Sequence, residues 1–430
     1  MTIGLDLSVI QTPHRMRGIG ATAINFVKNI PESIKAEHRF VLYLYEKDRE
    51  EALSVLDLSG LNYEVRSLSE ANRSQLVFRG KLRRLNAIFN MLSGFIKLYK
   101  GDDRITNLTG IQSFLQFDQM RPLPQSKNVK TALVLYDIIP YVMEADYLWS
   151  YKTARNHQLR RRSALKRHFQ RQRYAFKNRV ISKRADLLIA ISQHTKNDFV
   201  KYLGVNPSKI TVVHLGVDLV ASNTVAKTPK FNRYMQNSWG YFPEPVDLTA
   251  KPYLLFVGGA DPRRKLKELV AAYNNLRAQG HDIRLVLVGD TMKGPQAIPT
   301  ADTQEYVAAS SYLEDIVFLG FVTDEQKDWL YQNTLAFVFP SVYEGFGLPV
   351  LEAMNYGARV ITYENSSIKE VAGDLPFYAK DFASIFAAVK GLLDKDSPAD
   401  LNKYRKATQD HLKSFSWSHT TTKIIKLLSQ

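Results

Sequence analysis

Cysteine is absent from all 430 residues, so this chain can hold no disulfide framework and no thiolate metal site. That absence fits a reducing cytosol. No apolar run approaches the roughly 20 residues that a helix needs to cross a bilayer. Residues 1–10 carry Asp6 and lack the basic region of a secretory signal, so they predict a first strand. Acidic residues are missing from one long stretch: residues 151–184 contain thirteen Lys or Arg and no Asp or Glu. These absences predict a cytoplasmic protein, soluble or peripheral on a membrane, with one localised basic stripe.

What is present is ample for large cores. With 45% apolar residues, 430 residues are enough for two or three domains. Fifty-eight basic against 42 acidic residues leave a formal charge of +16, a field that draws phosphates, nucleic acids or anionic lipids. Short apolar runs alternate with amphipathic stretches, the pattern of parallel α/β units. Strands are predicted at 2–7, 40–45, 131–136 and 187–191, with helices such as 21–30 and 193–203 between them. The periodicity fades over 218–251, which reads as an interdomain linker rich in Ser, Thr, Asn, Pro and Lys. It restarts with strands at 253–257, 284–288, 316–319, 335–339 and 359–362.

The expected fold class is therefore α/β, with two doubly wound Rossmann-like domains. Residues 1–217 form the first and 252–400 the second, and residues 401–430 form closing helices. Such sheets bind ligands beyond the carboxyl ends of their strands, so two facing domains predict a site in the cleft between them.

The most informative stretch is FPSVYEGFGLPVLEAMNYGARVIT, residues 339–362. A buried strand ends, a loop carries Glu344, Gly345, Phe346 and Gly347, and a helix starts near Leu348 and Pro349. Glycines allow close ligand approach, and free amides at a helix start favour a diphosphate. Glu352, on the first turns of that helix, suits the hydroxyls of a ribose better than a phosphate. Glu344, eight residues earlier, would face the other end of the same donor.

This stretch resembles the EGFGLPxLEA signature of the retaining glycosyltransferases of family 4, in which two glutamates flank seven residues. The resemblance continues through GIG from Gly18, YDIIP from Tyr136, ADLLIAISQHTK from Ala185, ITVVHLGVD from Ile210, FVGGADPRRKLKELV from Phe256 and FSWS from Phe415. It implies a GT-B fold, a nucleotide-sugar donor, a glycan acceptor, and a last helix that crosses back to the first domain. Carried over by position, it makes Glu352 the ribose ligand. Glu344 and the amides near Phe346 and Gly347 contact the transferred sugar. The cluster after Asp261 and Pro262, namely Arg263, Arg264 and Lys265, becomes the donor phosphate site. Relatives have Arg-Lys-Asn there and a further arginine where Gly259 stands, so the dominant cation is open.

In the first domain, Gly18 and Gly20 read equally as a phosphate cradle, with Arg15 and Arg17 nearby, or as a turn that needs glycine. Tyr136 stands where many relatives have histidine. Asp137 could position or deprotonate an acceptor hydroxyl, or cap a turn before Pro140. No cofactor is expected, and no metal: the DxD of Asp394 and Asp396 lies in a charged segment and reads as a solvated loop.

Three other functions compete. Gly18, Gly20 and Ala23, with Glu46 downstream, satisfy a relaxed dinucleotide fingerprint, but about ten residues separate the first strand from Gly18. A nucleic-acid-binding module would use the basic stripe and its Phe169, Tyr174 and Phe176, yet leaves Glu344 and Glu352 unexplained, so no nucleic acid is expected. A noncatalytic sugar sensor would share the fold. The loose likeness of YDIIP to polysaccharide mannosyltransferases favours GDP-mannose, ahead of dTDP-rhamnose or a UDP-sugar. The stripe, together with apolar residues at helical spacing and basic residues around them over 78–99, predicts binding to the anionic inner face of a membrane, where the acceptor would be lipid-linked.

Overall fold

The computed structural model describes residues 1–16, 18–69, 104–124, 126, 128–219, 228–237, 240–395 and 397–430. Arg17, Asp396 and the segment 78–99 lie outside them. The chain divides into two compact units, Met1–Gly216 with Trp417–Gln430, and Val217–Ser416.

The first unit is built on a seven-stranded parallel sheet. Its strands are β1 (Thr2–Asp6), β2 (Arg39–Tyr45), β3 (Tyr63–Leu68), β4 (Ser113–Gln116), β5 (Lys130–Leu135), β6 (Leu187–Ala190) and β7 (Ile210–Val212). Their order is β3-β2-β1-β4-β5-β6-β7. The strands TIGLD, SFLQ and KTALVL are buried on both faces, as parallel sheets covered by helices require. The direction of winding reverses between β1 and β4, which opens a crevice beyond their carboxyl ends.

The second unit repeats the plan with six parallel strands: β10 (Tyr253–Val257), β11 (Arg284–Val288), β12 (Ile316–Gly320), β13 (Ala336–Phe339), β14 (Val360–Tyr363) and β15 (Phe377–Ala379). In the order β12-β11-β10-β13-β14-β15, the winding reverses between β10 and β13.

Two features differ from the sequence reading. The segment expected as a linker folds, in part, into an antiparallel hairpin of β8 (Phe231–Asn237) and β9 (Gly240–Val246) within the second unit. Its Arg233 pairs with Glu244 at 2.9 Å, and Phe231 packs on Trp329 with ring centroids 5.3 Å apart. Pro243 and Pro245 disguised β9, because proline is tolerated in a strand only at an edge, and a two-stranded sheet has nothing but edges. The second unit also continues to Ser416, taking in the helix Pro398–Leu412.

The helix Trp417–Ser429 lies in the first unit. Ser113 Oγ and Lys130 Nζ donate to the carbonyls of Leu428 and Leu427 at 2.8 and 2.7 Å, and Thr420 Oγ1 donates to the carbonyl of His214 at 2.7 Å. Ile424, Ile425 and Leu428 form its buried face.

Candidate active site

In the second unit, the loops that leave β10 and β13 meet at the crevice. The first runs through Gly258, with φ +148°, to a short 3-10 turn, Pro262–Arg264. A Cβ on Gly258 would stand 2.6 Å from Arg264 Nη1, so glycine is what lets this guanidinium fold back and donate to the carbonyl of Gly259 at 3.2 Å. The second loop ends at Gly347, with φ +106°, where a Cβ would meet Ile368 at 2.4 Å. The helix Leu348–Asn355 starts directly after it. Val342 N–H donates to the carbonyl of Arg263 at 2.8 Å and ties the two loops together.

Glu344 is the centre of this junction and is buried. Its Oε1 accepts hydrogen bonds from Arg263 Nη1, from Ser341 Oγ at 2.9 Å and from Arg264 Nε at 3.4 Å. Its backbone is held as well, with N–H donating to Ser366 Oγ and the carbonyl accepting from Ser367 Oγ, both at 2.8 Å. Burial alone would raise the carboxyl pKa. The charges of Arg263 and Arg264, with the hydrogen bonds from Ser341 and Arg263, outweigh burial and hold it below its ordinary value. Asp261 Oδ2 lies 3.9 Å from Arg263 and 3.7 Å from Arg264, while Lys265 has no ion pair among the described residues. Three cations thus face two carboxylates, and the cluster keeps a net positive charge. The carboxylate that offsets these cations, Glu344, comes from within the unit.

Phe346 is buried, its ring 6.3 Å from that of Phe415, so only its backbone is left for a ligand. Its carbonyl accepts from Ser367 Oγ at 3.0 Å. Gly345 is buried, and Leu348, the first helical residue, is half-buried.

Glu352 lies on the same helix with a third of its side chain exposed. Tyr331 Oη donates to Glu352 Oε2 at 3.2 Å, and Lys327 Nζ stands 3.8 Å from that oxygen. Both partners therefore hold one carboxylate oxygen and leave the other without a partner among the described residues. Burial opposes the charge on Lys327, but Glu352 and Asp324 more than offset this and raise its pKa. Tyr331 stacks on Tyr356 at 6.0 Å. Sequence reasoning missed Lys327 and Tyr331. The available signal was their i, i+4 spacing on a helix, Asp324–Asn333, opened by the Thr323–Gln326 capping box.

The first-unit residues have more structural duties. Gly18 and Gly20 lie within the helix Gly18–Lys28 and do not precede it. Gly18 is open, whereas a Cβ on Gly20 would stand 2.4 Å from Arg15 Cα, so close backbone packing alone demands glycine there. Arg15 pairs with Glu51 at 2.6 Å. The helix is separated from β1 by the turns Ser8–Gln11 and Pro13–Met16, and so lacks the direct strand-to-glycine turn of a dinucleotide site. Tyr136 is buried, and burial pushes its phenol pKa well above the ordinary value. Its backbone N–H donates to Gln119 Oε1 and its carbonyl accepts from Thr195 Oγ1, both at 2.7 Å. Asp137 Oδ1 accepts from the N–H of Ile139 at 3.0 Å, closing the turn before Pro140. In the second unit, Asp394 pairs with Lys390 at 3.3 Å on the helix Phe382–Lys395.

The basic stripe becomes the helices Tyr151–Asn156 and Arg161–Arg184. The latter buries Ala175, Asn178, Val180 and Ile181 in its second half. In its first half Leu165 and Phe169 are exposed among Arg161, Arg162, Lys166 and Arg167.

Residues 242–408 match the family model described as glycosyl transferases group 1, and residues 133–220 match that of glycosyltransferase family 4. The O-antigen chain mannosyltransferase B of Escherichia coli is 28% identical over 245 residues, 56% of this chain and 60% of that protein. A serotype-specific mannosyltransferase WbdA of Escherichia coli is 27% identical over 240 residues, 55% of this chain and 28% of its own length. The matched region thus spans only part of these relatives. Among solved structures, HepE of Anabaena in complex with UDP and glucose covers 100% of this chain and 99% of its own, with a TM-score of 0.59 and 15% identity. WaaG, a glycosyltransferase involved in lipopolysaccharide biosynthesis, covers 100% and 99% with a TM-score of 0.56 and 12% identity. These structural likenesses establish the fold.

Proposed function

We propose that this chain, whose residues 242–408 and 133–220 match the models of glycosyl transferases group 1 and glycosyltransferase family 4 and whose fold is GT-B, moves a hexose or deoxyhexose from a nucleotide diphosphate sugar to a hydroxyl of a growing glycan, with retention at the anomeric carbon and without a metal. The observation that carries this reading is the convergence of Arg263, Arg264 and Glu344 at the β10–β13 crevice, on the unit that also bears Glu352.

As the sugar leaves, charge grows on the departing diphosphate. Cations already fixed in place stabilise that charge without reorganising, and the ion pair with Glu344 fixes Arg263 and Arg264 beforehand. Lys265 adds a cation at the start of the next helix. The same cluster fills the role that a divalent ion takes in other transferases. Glu352 offers its second oxygen to the ribose hydroxyls, and the backbone of 345–347 lies where the transferred sugar would rest.

The mannosyltransferase relatives support GDP-mannose as the first donor to test, followed by dTDP-rhamnose and UDP-sugars. A thermal-shift panel of these compounds checks the assignment. A true donor at one hundred times its Kd should stabilise the fold by about 2.7 kcal/mol. A chain stabilised by none of them, but by NAD, would overturn the transferase reading.

The exposed half of the basic helix supports the membrane reading. Leu165 and Phe169 stand among four cations, the composition that lies on an anionic interface. Among the described residues no helix is long and apolar enough to cross a membrane. The proposed location is therefore peripheral, on the inner face, with a lipid-linked acceptor, and the exposed Leu165 and Phe169 among four cations are what support it.

A further inference from the structure

The crevice of the first unit holds a second charged cluster, distinct from the one around Glu344. It lies beyond the carboxyl ends of β1, β2 and β4, where the winding of that sheet reverses. Tyr45, the last residue of β2, accepts hydrogen bonds on its phenol oxygen from both Arg104 Nη1 at 2.7 Å and Arg121 Nη1 at 2.9 Å. Two guanidiniums are therefore drawn together by a neutral oxygen. Like charges at that range repel unless anions offset them.

Two carboxylates supply part of that offset. Arg104 Nη2 stands 3.5 Å from Asp6 Oδ2, with both side chains almost wholly buried. Arg121 Nε is 3.0 Å from Asp118 Oδ2. The helix Arg161–Arg184 packs against the same loop, where Asn178 Nδ2 lies 3.5 Å from Met120 Sδ, and brings Lys177 and Arg173 to it. Lys177 makes no hydrogen bond or ion pair among the described residues. Burial, with the charges of Arg173 and Arg121, holds its pKa below the ordinary value against the pull of Asp118. Among the described residues, four cations thus face two carboxylates at the place where a doubly wound sheet binds its ligand.

We propose that this crevice is a second anion site, which takes the phosphate or diphosphate group of the acceptor through Arg121 and Lys177. Arg121 has the geometry for it. Its Nε and Nη1 are held by Asp118 and Tyr45, which among the described residues leaves Nη2 to donate to a phosphate oxygen. Lys177, half-buried beside Asp118 and Arg121, adds a point charge. Arg104, buried and paired with Asp6, holds Tyr45 in place and does not reach the ligand.

Only the naming of the anion as the acceptor's rests on the transferase reading; the binding does not. The test is isothermal titration with inorganic diphosphate and farnesyl diphosphate, neither of which needs sugar transfer. Lys177→Met and Arg121→Met should each lower diphosphate affinity in this crevice at least tenfold, while Lys177→Arg retains it. Arg264→Met should remove a separate binding event and leave this one intact. Thermal melts of the four variants identify any that fail to fold, and Lys177→Arg keeps the comparison open if Lys177→Met does. Tighter binding of farnesyl diphosphate than of diphosphate assigns a lipid-linked acceptor, and equal binding a water-soluble phosphorylated one. Diphosphate binding that Lys177→Met and Arg121→Met leave unchanged overturns the site, whatever the outcome of the donor panel.

Discussion

The carboxylate of Glu344 closes on the guanidinium of Arg263, eighty-one residues away in the chain, with both side chains about one-tenth exposed. Arg264 reaches the same oxygen from the neighbouring position. A buried carboxylate of this kind is stable only because the two guanidiniums and Ser341 surround it.

Removing that anion takes the nearest carboxylate from two partly buried cations and leaves them the longer contacts to Asp261, at 3.9 and 3.7 Å. Glu344→Ala is expected to destabilise the protein by about 3–5 kcal/mol, and Glu344→Gln, which can keep the Ser341 hydrogen bond, by less. Because the folded carboxyl titrates below its ordinary 4.5, its contribution is complete above that value and is lost as pH falls through the folded pKa. Denaturant melts between pH 3 and 7 check this. A Glu344→Gln protein with the same acid slope as the parent would remove Glu344 from the account.

Glu352→Gln should weaken donor binding by about 1.5–3 kcal/mol, the range for a hydrogen bond to a charged group. Tyr331→Phe and Lys327→Met act only through the other carboxylate oxygen and should cost less. Calorimetric titration with whichever nucleotide sugar the panel selects measures all three. Equal affinity in parent and Glu352→Gln would rule out the ribose role.

Transfer activity is expected to survive EDTA, because Arg263, Arg264 and Lys265 already supply cations to the leaving diphosphate. Arg264→Met should lower the rate of transfer more than it lowers donor affinity, since charge on the diphosphate grows towards the transition state. Loss of activity in EDTA that Mg²⁺ or Mn²⁺ restores would refute this.

Co-sedimentation with vesicles containing phosphatidylserine should exceed that with neutral vesicles and fall as salt rises, because each basic residue near the surface contributes about 1 kcal/mol within a Debye length. Replacing Arg161, Arg162, Lys166 and Arg167 with glutamate should abolish binding. These four residues are exposed, so the fold should be unaffected. Binding that is equal for neutral and anionic vesicles would sink the idea.

Much of the fold was legible in the sequence, because buried parallel strands such as YLLFV and RLVLV announce themselves as short apolar runs. The loop with Glu344 and Gly347 and the helix that carries Glu352 were legible too, since a strand end, a glycine with positive φ and a helix start are local events. Tertiary structure decided what no local pattern encodes. Gly20 is required by the backbone of Arg15, Asp137 closes a turn, and Tyr136 is buried. The basic stripe reads as one feature in sequence but divides in space, with Lys177 turned toward Asp118 and Arg121 while Arg161, Arg162, Lys166 and Arg167 remain outside. Sequence periodicity reports which face of an element is buried; charge pairing depends on which loops the sheet order brings side by side. That order joins β10 to β13 and β1 to β4, and so makes partners of Arg263 and Glu344, and neighbours of Tyr45 and Arg121.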